Sequence, residues 1–229
     1  MSKSSENDYR FERKYHVTDV PTVEIEDWVH RCPALFSEGY PRRHINNIYF
    51  DSPEFSKYFE NIDGLADRTK IRIRWYGNLF GEIPKPVLEF KIKRGMVGTK
   101  ESFKVKAFKL ERGFKVNDLK PVLTDPSLPQ EVQVELSQVE PTLINCYWRK
   151  YFISADKKYR ITIDTDLEFY RVHRYGNEFL TRELLESSTV MELKYSGQIA
   201  DMDERIMNFF PFRVTRMSKY VTGLELVES

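Results

Sequence analysis

In the stretch KIRIRWYG, residues 70 to 77, Lys70, Arg72 and Arg74 alternate with Ile71, Ile73 and Trp75. On a β-strand three cations would then share one face and three bulky apolar groups the other. The same alternation returns along the chain: Glu12 and Lys14, Glu89 with Lys91 and Lys93, Lys104 and Lys106, Arg149, Arg160 with Thr162 and Asp164, and Glu192 with Lys194. Like charges in a row on one strand face repel unless something anionic lies among them. Arginine forks chelate phosphoryl oxygens in pairs, and lysine adds point charge. Interspersed Glu12, Glu89 and Glu192 suit a divalent cation such as Mg²⁺ or Mn²⁺, which takes carboxylate and phosphate oxygens together. A chain of phosphates with its cation is the chemistry these residue types fit. The alternation by itself fits the solvated face of an antiparallel sheet equally well.

Other chemistries find little support. No Ser/His/Asp or Cys/His arrangement stands out, and His16, His30, His44 and His173 lack metal-ligand spacing. Asp164 and Asp166 form a D-x-D in TIDTDL, where Asp166 reads as a turn or ion-pair residue. With 36 Lys plus Arg against 35 Asp plus Glu the net charge is +1, so any electropositive feature is local and a nucleic-acid partner is not expected. Two cysteines, Cys32 and Cys146, are too few for a disulfide framework and fit a reducing, cytoplasmic setting. The polar start MSKSSENDYRFERKY is no signal peptide, and no apolar run is long enough to span a membrane.

These residues need strands to position them. Alternation predicts strands at 9–17, 45–52, 67–77, 87–95, 101–108, 143–152, 159–170 and 189–197. Short helices are expected at 22–31, over PEFSKYFENIDG to Gly64, and near 199–209, with 111–140 mostly helical apart from TDPSLP. Residues 211–223 read as a tail. Residues 1–8 read as a disordered start, and 9–229 as a single domain without linker or repeat. Some eight strands with helices between them indicate an α+β protein built on a closed antiparallel sheet.

Taken together, RFERKY, NNIYFDSPEFSKYFEN, RTKIRIRWYG, LEFKIKRG, SFKVKAF, YWRKYF, RITIDTDL, VMELKYSG and RVTRMSKY run nearly end to end. In this order the chain resembles the polyphosphate polymerase domain of the vacuolar transporter chaperone family, a branch of the triphosphate tunnel metalloenzymes. The resemblance implies an eight-stranded antiparallel β-barrel tunnel with helices packed on the outside. It also implies a polymerase that makes inorganic polyphosphate from ATP with Mn²⁺ or Mg²⁺. Phosphate binding falls on Lys14, Arg72, Arg74, Lys91, Lys104, Arg149, Arg160, Lys194, Arg216, Ser218 and Lys219. Arg72, Arg74, Lys91 and Lys219 are the catalytic set, and Glu192 with Glu12 the metal ligands. One departure stands out: the hydrolytic branches begin E-x-E-x-K, whereas here Arg10 precedes Glu12 and Lys14. That favours long phosphate chains over triphosphate hydrolysis, with an inorganic triphosphatase or a non-catalytic polyphosphate binder as the alternatives. Partners are therefore ATP and polyphosphate or tripolyphosphate, with no membrane span and any membrane partner protein unidentified.

Overall fold

The computed structural model describes residues 10–95, 97–196 and 203–229, so the expected disordered start at 1–8 lies outside the described residues. Eight strands follow one another in a hydrogen-bonded path. In chain order they are β1 (Arg10–Thr18), β2 (Ser37–Asp51), β3 (Arg68–Tyr76), β5 (Val87–Arg94), β6 (Val97–Lys104), β8 (Glu140–Ile153), β9 (Tyr159–Arg171) and β11 (Ser188–Ser196). Short β10 (Glu183–Leu184) adds to β9, while β4 (Gly81–Ile83) and β7 (Phe108–Leu110) form a separate pair. The path runs β1-β11-β9-β8-β2-β3-β5-β6. The β1/β11, β11/β9, β2/β3, β3/β5 and β5/β6 pairings are antiparallel. An α+β fold on an eight-strand antiparallel path is thus what the alternation predicted.

The helices are α1 (Thr22–Arg31), α2 (Ser56–Ile62), α3 (Lys120–Leu123), α4 (Gln130–Ser137), α5 (Glu204–Met207) and α6 (Lys219–Glu228). Thr124–Pro129 breaks the helical region between α3 and α4, where two prolines and an Asp125 turn would place it. Of the helix expected near 199–209, α5 occupies the end; residues 197–202 lie outside the described residues. Three elements differ from expectation. β2 begins at Ser37, eight residues early, and its first half is mostly exposed. The strand expected over 101–108 ends at Lys104 and a new one starts at Phe108. The expected tail holds α6, whose Tyr220, Val221 and Leu224 are buried.

The chain divides into two compact units, each with its own core. Of the described residues, unit 1 comprises 10–43, 148–167, 185–196 and 203–217, and unit 2 comprises 44–95, 97–147, 168–184 and 218–229. In unit 1, Tyr15, Val17, Ile25, Val29, Cys32, Phe152, Ile161 and Leu193 pack together. In unit 2, Ile71, Ile73 and Trp75 join Ile48, Phe50, Leu88, Phe90, Ile144 and Cys146. Each apolar half of the alternating pattern therefore faces a core, leaving its charged half on the opposite face.

Helix α6 docks closely within unit 2. A Cβ at Gly223 would lie 2.2 Å from Phe169 Cδ1 and 2.8 Å from Leu143 Cδ2, so only glycine permits this approach. Its first turn is held by Asp51, which is fully buried at the end of β2. Asp51 Oδ1 accepts the backbone N–H groups of Ser52 and Lys57, and Oδ2 accepts that of Tyr58 and the Tyr220 hydroxyl at 2.5 Å. One carboxylate thus caps α2 and anchors α6.

Candidate phosphate and cation sites

In unit 2 the charged face of β3 carries Arg68, Lys70, Arg72 and Arg74. Register sets Lys93, Lys91 and Glu89 of β5 opposite the first three of these. Lys100 and Lys104 of β6 continue the rows beyond Lys91 and Val87. Eight cations share this face of β3, β5 and β6 with one carboxylate, Glu89, among the described residues. Directly paired side chains lie roughly 5 Å apart, so Lys70, Lys91 and Lys100 form a row of like charge.

The anion among the cations is Glu89. Its Oε2 accepts from Arg72 Nε at 2.8 Å and Nη2 at 2.7 Å, with Arg74 Nη1 at 3.6 Å; its Oε1 accepts from Lys100 at 2.9 Å. Burial would raise this carboxyl's pKa, but Arg72 and Arg74, with hydrogen bonds from Lys100 and Arg72, outweigh that. It is held at about 2 instead of 4.5. Arg74 Nε donates to Asn47 Oδ1 at 3.1 Å, which orients that amide, and Asn47 Nδ2 donates to Asn145 Oδ1 at 2.8 Å. Both guanidinium groups are thereby held at Nε, Arg72 by Glu89 and Arg74 by Asn47, while an Nη of each also faces Glu89. Asn145 is fully buried, and its Nδ2 has no partner among the described residues. At the start of α6, Ser218 Oγ accepts from Lys70 Nζ at 2.8 Å, and buried Lys219 sits 4.8 Å from the Tyr147 ring centre. Lys91 and Lys104 are exposed.

Unit 1 is balanced in charge. Lys14 of β1 pairs across to Glu192 of β11, and Glu192 to Thr162 of β9; Glu12, Lys194 and Arg160 make the next row. Lys14 Nζ lies 3.2 Å from Glu192 and 3.5 Å from Glu12, while Lys194 Nζ lies 2.9 Å from Glu192 and 3.9 Å from Glu12. Burial works against the Lys14 charge, and Glu192 followed by Glu12 outweighs it, so its pKa lies above the ordinary lysine value. Arg149 grips buried Asp164 in a bidentate pair, Nε to Oδ1 at 2.5 Å and Nη2 to Oδ2 at 2.6 Å. Asp166 pairs instead with Arg42. Arg160 and Arg216 are exposed, and the backbone N–H of Thr215 donates to the Lys14 carbonyl at 2.7 Å, which brings Arg216 to the β1 edge.

Two carboxylates that share the same two ammonium groups are a sparse donor set. Among the described residues no cluster of three or more His, Cys, Asp or Glu could cage a metal alone. Mg²⁺ and Mn²⁺ nonetheless bind through one or two carboxylates when phosphate oxygens complete the sphere, and Glu12 with Glu192 fits that mode. Sequence reasoning placed the cations and both glutamates but missed Glu89 as an internal counter-anion, Asp51 as an anchor, and the Asn47–Asn145 clamp. Only strand register reveals the first; short buried polar residues within apolar runs are the one signal for the others.

The geometry is that of an α+β protein whose antiparallel strands turn apolar residues to a core and ordered rows of Lys, Arg and Glu to the opposite face. Residues 9–228 match the VTC domain, and the chain belongs to that family. No curated protein matches it. Solved structures that resemble it include a Vibrio parahaemolyticus protein described as a candidate adenylate cyclase, at 10% identity and TM-score 0.47 over 89% of this chain and 86% of that one. The PH1819 protein of Pyrococcus horikoshii shares 12% identity at TM-score 0.47 over 94% and 99%. A candidate adenylyl cyclase of Hippeastrum, described as having a dominant triphosphatase activity, shares 13% identity at TM-score 0.46 over 93% and 94%. Among the described residues no helix is long and apolar enough to cross a membrane.

Proposed function

We propose that this chain is a metal-dependent phosphotransferase that builds inorganic polyphosphate from ATP. The observation that carries this reading is the cationic face of β3, β5 and β6, whose single carboxylate among the described residues leaves an excess of positive charge suited to a polyanion. Membership of the VTC family supports it. Arg72, Arg74, Lys91 and Lys219 would neutralise the transferring phosphoryl group. Lys14, Lys104, Arg149, Arg160, Lys194, Arg216 and Ser218 would hold the remaining phosphates. Glu12 and Glu192 would hold Mn²⁺ or Mg²⁺, which when bound offsets charge developing on the phosphoryl oxygens. The terminal oxygen of the acceptor chain attacks the γ-phosphorus of ATP, and the bond between that phosphorus and the bridging oxygen breaks to leave ADP. Because the attacking oxygen is already anionic, no general base is needed; positioning and charge do the work.

The test is incubation of the purified protein with ATP and Mn²⁺, resolving products by length. A ladder of lengthening chains with matching ADP, abolished by EDTA, is expected. Orthophosphate without a ladder would replace the reading with triphosphate hydrolysis. Tight tripolyphosphate binding without turnover would make the protein a polyphosphate receptor.

A further inference from the structure

We infer that Thr162 is a ligand-binding residue, its hydroxyl donating to a phosphoryl oxygen seated on the Lys14–Glu192 row. This rests on the reading above and names a contact within it. Thr162 stands directly across from Glu192, which stands across from Lys14, so ammonium, carboxylate and hydroxyl occupy one face of β1, β11 and β9 in sequence. The residue is 7% exposed, and its Oγ1 is enclosed without a hydrogen-bond partner among the described residues. Threonine in a strand interior ordinarily satisfies its hydroxyl on a neighbouring backbone or side chain. A buried hydroxyl left unmade works against the folded state, so a valine of the same shape would serve the fold at least as well. The hydroxyl therefore answers to something other than folding.

The row also shows how a ligand reaches it. Lys14 is held by Glu192 and Glu12, the same carboxylates suited to a divalent cation. For a phosphate accompanied by its cation, Glu192 and Glu12 would hold the cation and Lys14 would turn from carboxylate to phosphate. Thr162 stands directly across from Glu192 in the same row, beside the place such a phosphate oxygen would take. No charge would be left unpaired with or without the ligand, so neither state would strand an ion in a half-buried row.

The experiment compares wild type, Thr162→Val and Thr162→Ser by calorimetric titration with inorganic tripolyphosphate in the presence of Mg²⁺, alongside thermal unfolding without ligand. Loss of a hydrogen bond to a charged acceptor predicts about tenfold weaker binding for T162V. Its unliganded melting temperature should be unchanged or raised, and T162S should bind like wild type. Equal affinity in wild type and T162V would overturn the inference while leaving the proposed function standing. A lowered melting temperature in T162V, or T162S binding as weakly as T162V, would mark a structural hydroxyl and overturn it too. Absence of tripolyphosphate binding by the wild type would bring down both.

Discussion

Replacing Glu89 by Gln isolates the one carboxylate that, among the described residues, shares a face with eight cations. Its pKa is about 2 against an ordinary 4.5, a drop of about 2.5 units. At about 1.4 kcal/mol per unit, this group contributes about 3 kcal/mol to the folded state at pH 7. A carboxyl with a depressed folded-state pKa gives stability that is present above its unfolded value and is lost as pH falls through the folded value. The contribution should therefore be whole above about pH 5, about 2 kcal/mol at pH 3.5, and gone below about pH 2. Glutamine keeps an acceptor for Arg72 and the side-chain volume, so the charge alone is removed. Urea unfolding at pH 7, 5 and 3.5, followed by Trp75 fluorescence with Trp28 and Trp148 changed to Phe in both proteins, reads the difference inside unit 2. The gap between wild type and E89Q should be largest at pH 7 and shrink with acidity. A gap that holds constant from pH 7 to 3.5, or never exceeds about 1 kcal/mol, would refute the claim that Glu89 is the internal counter-ion of Arg72 and Arg74.

Two further substitutions test the framework. Arg149→Met leaves Asp164 buried without its bidentate partner and should lower stability by about 3 to 5 kcal/mol, measured by denaturant unfolding; restoring most of it with the added change Asp164→Asn would confirm the cause. Gly223→Ala drives a methyl into Phe169 and Leu143 and should cost about 1 to 3 kcal/mol, seen as a lowered melting temperature, whereas Gly98→Ala, whose nearest contact is 4.0 Å away, should be near neutral by comparison.

What could be read without coordinates was whatever repeats with the period of a strand. Ile71, Ile73 and Trp75 go inward and Arg72 and Arg74 outward because side chains alternate whatever the partner strand does. Who stands beside Arg72 is another matter. Glu89 is seventeen residues away in sequence, and a shift of one residue in the β3/β5 register would have placed an apolar side chain there instead. The early start of β2 was hidden by Gly39 and Pro41: Pro41 is exposed in that half of the strand, and Gly39 sits where a Cβ would come within 2.6 Å of Ile153 Cδ1. Helix α6 was hidden for the opposite reason. Val221, Thr222 and Gly223 are poor helix formers, and burial of Tyr220 with its hydroxyl on Asp51 overrides that local preference. Thr162 was visible as one more polar residue in an alternating strand; only its buried hydroxyl without a partner among the described residues distinguishes it.

Cys32 lies in the core of unit 1 and Cys146 in that of unit 2, both as free thiols, 1% and 2% exposed. Burial pushes both thiol pKa values up, so neither reacts while its core is closed. The protein thus carries a separate chemical clock in each unit. Each thiol takes up a thiol-specific reagent only at the rate at which its own surroundings open. Timed labelling followed by peptide mapping would rank the two opening rates in a single unmodified sample, and single Cys→Ser variants would show whether arresting one clock changes the speed of the other.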